Sequence, residues 1–344
     1  MIISACGSSN SGNETPTLEK TDTKEASNDQ VYTIKLAHAS AATGDRVEES
    51  LQILKDKIEE RSNGRMVIET YPGSQLGNER EILEGVQLGS IEMNVISTGP
   101  LPGIFPEIMA FDLPYLFKTR DIAYEVIDGP AGEEIKNLLL EKTGIRLLAW
   151  GENGYRHFTN NNRPIVTPED VKGLKYRTME NPAHMFMVET LGGSATPMAF
   201  GELYSALQQG VIDGQENPVS QIESMRFYEV QKHMTLDGHV YNPHVMLINE
   251  KFYQSLPDDL KTIMDEETLS WTSLVRQMTF DQEEEGIKII RDSGVEIVDL
   301  TPEQKQAFQD AVQPVYDMIR AEIGDDLYEK TLKAVKEAEE KHLK

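Results

Sequence analysis

The run VKGLKYR…ENP…ATPMAF…ELYSALQQGVIDGQENP, between Val171 and Pro218, carries the two side chains best suited to hold an anion. Arg177 closes a short extended run, Leu174 to Arg177, just before a turn, which is where a sheet delivers a side chain into a cleft. Asn217 falls in DGQENP, Asp213 to Pro218, which reads as a Gly-containing bend followed by a helix-starting proline. A guanidinium grips both oxygens of a carboxylate at once, and an amide adds a neutral donor beside it. Delivered from two loops, the pair makes a carboxylate clamp.

Catalysis finds less support. None of the seven histidines forms an H-x-x-x-H pair that would build a metal site on a helix. The chain has no G-x-S-x-G elbow, no phosphate loop and no dinucleotide glycine fingerprint; Gly192-Gly193 follows a helix and lacks the third glycine. Neither cofactor nor metal is expected, and the reading is of a binding protein, not an enzyme. The 33 basic and 58 acidic residues leave a net charge of −25, which argues against nucleic acid as a partner. An acidic ligand stays compatible, because surface charge is screened within about 8–10 Å in salt while an arginine in a dry cleft is not.

The ordered motifs resemble the solute receptors of TRAP transporters, the DctP family of extracytoplasmic binding proteins. They run from YTIKLA at Tyr32 through YPGSQLG at Tyr71, LPY at Leu113 and the GLKYR and ENP segments to FYEVQK at Phe227. The resemblance implies an α/β fold: a two-lobed, periplasmic-binding-protein-like clamp with one long helix spanning both lobes. It makes Arg177 the carboxylate-binding arginine and Arg156, in GYRH, a second arginine of the cleft. Asn217 would donate its amide to the bound acid, and Phe200 would form an aromatic wall. Glu79, His38 and Asn242 are weaker candidates for ligand contact. Ser97 is a departure, since the sialic-acid branch carries a glutamate near this position; a sialic acid ligand is therefore not expected. The segment ENGYRHFTN around Arg156 looks like that of members binding sugar acids such as hexuronates, with four-carbon dicarboxylates as the alternative. The implied partners are a small organic acid and the membrane permease subunits of a transporter driven by an ion gradient. A sensory receptor of the same fold is the other reading.

Several elements must position these residues. Val31 to His38 alternates as a half-buried strand, and Asp45 to Arg61 places Val47, Leu51, Leu54 and Ile58 on one helical stripe. A strand over Met66 to Thr70, a helix over Glu79 to Leu88 and a strand over Met93 to Ser97 complete a βαβαβ opening, which implies a mostly parallel sheet. Ile145 to Trp150 reads as another strand, with Arg156 to Asn160 opening a second module. That module continues through helices over Pro182 to Leu191 and Gly201 to Gln209. A strand around His244 to Ile248, a helical tract from Asp258 to Asp292, and helices over Pro302 to Ile323 and Asp325 to His342 finish the chain. One lobe is expected over residues 31–153 plus about 243–281, the other over 154–242 plus about 282–344.

Before Val31, residues 7–30 are rich in Ser, Asn, Thr and Glu and read as a solvated tether. Cys6 is the single cysteine, so no intramolecular disulfide is possible. Its setting, ISACG, resembles the end of a bacterial lipoprotein signal, whose charged and apolar parts would lie upstream of Met1. The expectation is a receptor lipid-anchored through Cys6 to the outer face of the cell membrane, with a soluble periplasmic protein as the alternative.

Overall fold

The computed structural model describes residues 30–343, so Cys6 and nearly all of the tether lie outside the described residues. The opening follows βαβαβ order: β1 (Tyr32–His38), α1 (Arg46–Arg61), β2 (Met66–Tyr71), α2 (Glu79–Leu88) and β3 (Met93–Ser97). Strands β2 and β3 both pair parallel with β1. Alternation in β1 turns Tyr32, Ile34 and Leu36 into one core with Val47, Leu51, Leu54 and Ile58 of α1. Both helices begin on side-chain caps. Asp45 accepts from the Val47 amide at 2.8 Å, so α1 starts one residue later than its stripe suggests. Asn78 and Glu81 form a reciprocal capping box that sets the entry of α2 and hence the position of Glu79.

Helices α3 (Arg120–Ile127) and α4 (Pro130–Thr143) lead into β4 (Ile145–Asn160). The second module comprises β5 (Lys175–Thr178), α5 (Pro182–Thr190), β6 (Ser194–Pro197), α6 (Leu203–Gln208), β7 (Gly214–Pro218) and α7 (Val219–Ser224). The return strand β8 (His233–Asn249) is followed by α8 (Glu250–Ser255), α9 (Asp258–Asp292), β9 (Glu296–Asp299), α10 (Pro302–Ala311), α11 (Gln313–Ile323) and α12 (Asp325–His342). One sheet runs through the two lobes in the order β2-β1-β3-β8-β4-β7-β5-β6, with β9 added beside β8.

Antiparallel β4 and β8 carry the sheet across the molecule and differ from the sequence reading. Ile145 to Trp150 and Arg156 to Asn160 are one 16-residue strand, and the strand around His244 extends back to His233. Most residues of both strands are buried, which removes the polar alternation that marks a strand. The register also shifts between Leu147 and Ala149, Glu152 and Gly154, and Arg156 and Phe158, breaking the period. Gly154 sits at the middle shift with φ +123°, where a side chain would be strained.

Asn217 lies on β7, paired with His157 of β4, and not in a turn. Its DGQENP segment is recruited to the sheet because β4 and β5 flank it on both sides. The tract from Asp258 to Asp292 is a single 35-residue helix, about 52 Å long at ~1.5 Å per residue. Trp271 anchors it to α1 by donating its indole N–H to Ser50 Oγ at 2.8 Å, while Gly286 lets it pass close to Val219 and Glu223 of α7. The span from Pro302 to Ile323 is two helices, broken at Val312. Pro314 follows at the start of α11, where its missing N–H is tolerated. At the end of the chain α12 packs on α3, with Lys341 Nζ paired to Glu125 at 2.8 Å.

Candidate functional site

Arg177 sits on β5 and is 3% exposed. Its Nε and Nη2 donate to the Met198 carbonyl at 3.0 and 2.7 Å. These bonds orient the guanidinium but bring no negative charge. Nη1 is buried and has no hydrogen-bond partner. Burial, reinforced by the neighbouring Arg156, pushes the group from its ordinary 12.5 down to about 10, so it remains a cation at neutral pH. Phe200, in the short turn after β6, lies with its ring centroid 5.9 Å from this guanidinium and edge-on to Phe227.

Arg156, on β4, is fully buried and already paired. Its Nη2 donates to Glu216 Oε1 at 2.8 Å, and its Nε meets the other carboxylate oxygen. Nη2 also reaches Asn217 Oδ1 at 3.2 Å, and Nη1 reaches Asn242 Oδ1 at 3.3 Å. Burial alone would raise the Glu216 carboxyl; Arg156, His184 and His239 outweigh it and hold it well below the usual range. His239 bridges Glu216 and Asp237 at 3.2 and 2.7 Å and stacks on Phe158 with centroids 4.3 Å apart. Burial opposes its charge, but Asp237 and Glu216 prevail and push it up to about 9.

One narrow cavity of about 20 Å³ brings together Arg156, Arg177, Asn217, Phe200 and Glu79. Asn217 uses Oδ1 for Arg156 and one amide hydrogen for Gln215, so its side chain is already engaged within the protein. Glu79, the first residue of α2, accepts from the Ser97 amide at 2.8 Å and from Ser97 Oγ at 2.9 Å. Burial raises its carboxyl against the pull of those bonds and of Arg177. Asn242 and His38 do not line the cavity. Asn242 is fully buried and positions Arg156, donating its own amide to Thr98 Oγ1 at 2.8 Å. His38 Nε2 makes a 2.7 Å bond with Glu48. Met179 closes the cavity between the lobes, its sulfur 3.4 Å from Ser97 Oγ, and Arg80 pairs with Glu180 at 3.0 Å beside it. The space left is close to that of one water, so an acid enters only when the cleft opens.

Residues 36–322 match the family described as bacterial extracellular solute-binding protein, family 7, DctP. The chain belongs to that family. DctP proteins are the periplasmic, non-catalytic solute receptors of TRAP transporters; they bind small organic acids and work with membrane permease subunits. A solute-binding protein of Verminephrobacter eiseniae is 40% identical over 268 residues, spanning 78% of this chain and 79% of the relative. The C4-dicarboxylate-binding periplasmic protein of Rhodobacter capsulatus is 34% identical over 288 residues, 83% of this chain and 84% of its own. Among solved structures, the sugar acid binding protein of Advenella mimigardefordensis in complex with galactonate superposes with a TM-score of 0.87 at 31% identity, covering 90% of this chain and 99% of that one.

This DctP chain has roomier concavities than the acid cavity. One of about 380 Å³ is lined by Tyr115, Arg120, Tyr155, His157, Phe280 and Glu283, among others. Arg120 there lies between Glu152, at 2.7 Å, and Glu283, with the Tyr155 and Phe280 rings each 5.7 Å away. Its charge is matched, so volume does not make this the acid site. The sequence reading missed Asn153, Met179, Gln221 and His244, which also line the acid cavity. Gln221 is the third residue of α7, directly past the strand that carries Asn217, and its closeness to the ENP motif was the available signal. A lone histidine on a buried strand carries no such mark.

Proposed function

We propose that this receptor captures a sugar acid, a ligand with one carboxylate and several hydroxyls, on Arg177. The carrying observation is the pair of cavity arginines: Arg177 keeps a buried nitrogen without a partner, whereas Arg156 is already matched by Glu216. One arginine with an unused nitrogen and no direct carboxylate partner suits one carboxylate. Glu79 beside it would repel a second carboxylate and accept hydrogen bonds from hydroxyls. Asn217 and Phe200 complete the wall, and Asn242 acts through Arg156. The galactonate complex of the similar structure agrees with this reading. A four-carbon dicarboxylate is the second reading, favoured by the Rhodobacter relative. Ligand entry swings the lobes shut, strengthening the ion pair by excluding water, and the closed form passes its load to the permease. Cys6 serves as the site of a lipid anchor in this proposal.

A thermal-shift screen of hexuronates, aldonates and dicarboxylates tests the class, since a ligand at a hundredfold over its Kd adds ~2.7 kcal/mol to the folded state. Calorimetry on Glu79→Gln then separates the two readings. Sugar-acid binding weakens by about 1 kcal/mol through loss of a charge-assisted bond. Tighter succinate or malate binding by the variant, with no response of the wild type to sugar acids, establishes the dicarboxylate.

A further inference from the structure

We infer that Gln221 and His244 form a hydroxyl-reading wall of the acid cavity, recognising ligand hydroxyls on carbons beyond the one that carries the carboxylate. The inference rests on the acid-receptor reading above, which uses neither residue.

Gln221 on α7 and His244 on β8 are each 4% exposed, and both line the cavity that contains Arg177. His244 is held in register opposite Ser97 of β3 and Gly151 of β4, so its position belongs to the sheet and not to a loop. Gln221 Oε1 and His244 Nδ1 are buried and lack any hydrogen-bond partner. Together with Arg177 Nη1 they leave the cavity wall with three unused polar positions of different chemistry. The guanidinium nitrogen donates and suits a carboxylate. An amide oxygen only accepts, so what meets it must bring a donor. An ionised carboxylate has none; a hydroxyl does. Burial, with Arg46, His38 and Arg156 adding to it, drives the imidazole well below its ordinary 6.5, so His244 is neutral at physiological pH. A neutral ring offers no charge to a second carboxylate but exchanges hydrogen bonds freely with a hydroxyl, which both donates and accepts. Met179 and Phe200 supply the apolar remainder of the wall, against which the carbon chain lies. An acid without hydroxyls would leave Gln221 Oε1 buried and unsatisfied, which is how a site built for hydrogen bonds rejects a bare analogue.

The test is calorimetry on the full chain with four- and six-carbon aldonates and their bare counterparts, butyrate and hexanoate, plus succinate. Wild type prefers the matching aldonate to the bare acid by about a hundredfold or more. Gln221→Leu, which keeps the bulk, lowers that preference by about tenfold, through weaker aldonate binding with bare-acid binding unchanged or tighter. Gln221→Met and His244→Phe serve as second variants, and melting of each free variant reports whether it folds. A preference unchanged in the folded variants overturns the hydroxyl wall while leaving the acid receptor standing. Succinate bound by wild type in preference to every aldonate also overturns it. Wild type that binds none of these acids overturns the acid-receptor reading and this inference with it.

Discussion

The acid cavity and the cavity beside Arg120 differ inversely in room and in unused bonding capacity. The first holds about 20 Å³ and contains a buried cation with one nitrogen unpartnered. The second holds about 380 Å³, and its arginine is spread over two carboxylates and two aromatic rings. Glu283 Oε1 in the second also lacks a partner, but burial pushes that carboxyl up to about 7, where it takes up a proton instead of requiring a ligand. An arginine has no such escape, because it stays charged throughout the physiological range. Space does not mark the acid site; a buried cation with an unused nitrogen and no carboxylate partner does. The unused nitrogens of Arg46 and Arg276 belong to cations paired with Asp45 and Asp128. His239 links the two regions, joining Glu216 behind the acid cavity to Asp237 on the wall of the larger one.

The largest expected effect breaks the comparison at Arg177. Arg177→Ala abolishes acid binding, a loss of about 4 kcal/mol or more, because it removes the charge on which the ligand carboxylate is buried. Arg177→Lys keeps the charge but not the fork, and weakens binding by on the order of 2–3 kcal/mol. Calorimetry measures both, and alanine-variant affinity equal to wild type ends the carboxylate clamp.

Arg120→Ala should show the opposite profile. Glu152 is fully buried, so losing its cation leaves a carboxylate uncompensated and destabilises the fold by about 3 kcal/mol. Denaturant titration reads that change, while acid affinity in the folded variant stays within about threefold, on the principle that separated sites are nearly independent. A tenfold loss of affinity with unchanged stability would reverse the roles assigned to the two cavities.

His239 gives the smallest effect and tests the link. Its folded value near 9 lies above the ordinary 6.5, so its stabilising contribution is fully present below pH 6.5 and is lost as pH rises through 9. His184 is raised as well and acts with the same sign. Stability should fall by on the order of 2 kcal/mol between pH 6.5 and 9, and His239→Gln should flatten most of that slope. Melting curves across this window decide it; an identical slope in the variant removes His239 from the link.

Local chemistry was the most legible part of the sequence. Helices α2 and α12 and strand β3 fall within the bounds the sequence indicates, and α9 runs from Asp258 to Asp292 as its tract indicates. The GLKYR motif singled out Arg177, and the ENP motif Asn217, because types and spacing survive in one dimension. Whether the long tract was one helix or two was not readable, since helix propensity is local and the decision rests on packing against β4, α1 and α7.

What the tertiary structure alone decided is how each polar group is used. Arg156 and Glu216 are 60 residues apart, and nothing in either segment announces that they neutralise each other. That pairing separates a structural arginine from the one left for a ligand. The same holds for β4 and β8, whose buried faces and shifted register erase strand alternation, and for Gln221 and His244, ordinary residues until the fold brings them to one wall. Sequence determines which groups exist and which local elements carry them. Their unused hydrogen-bonding capacity is set by long-range pairing and by the exclusion of water, and both come into being only when the chain has folded.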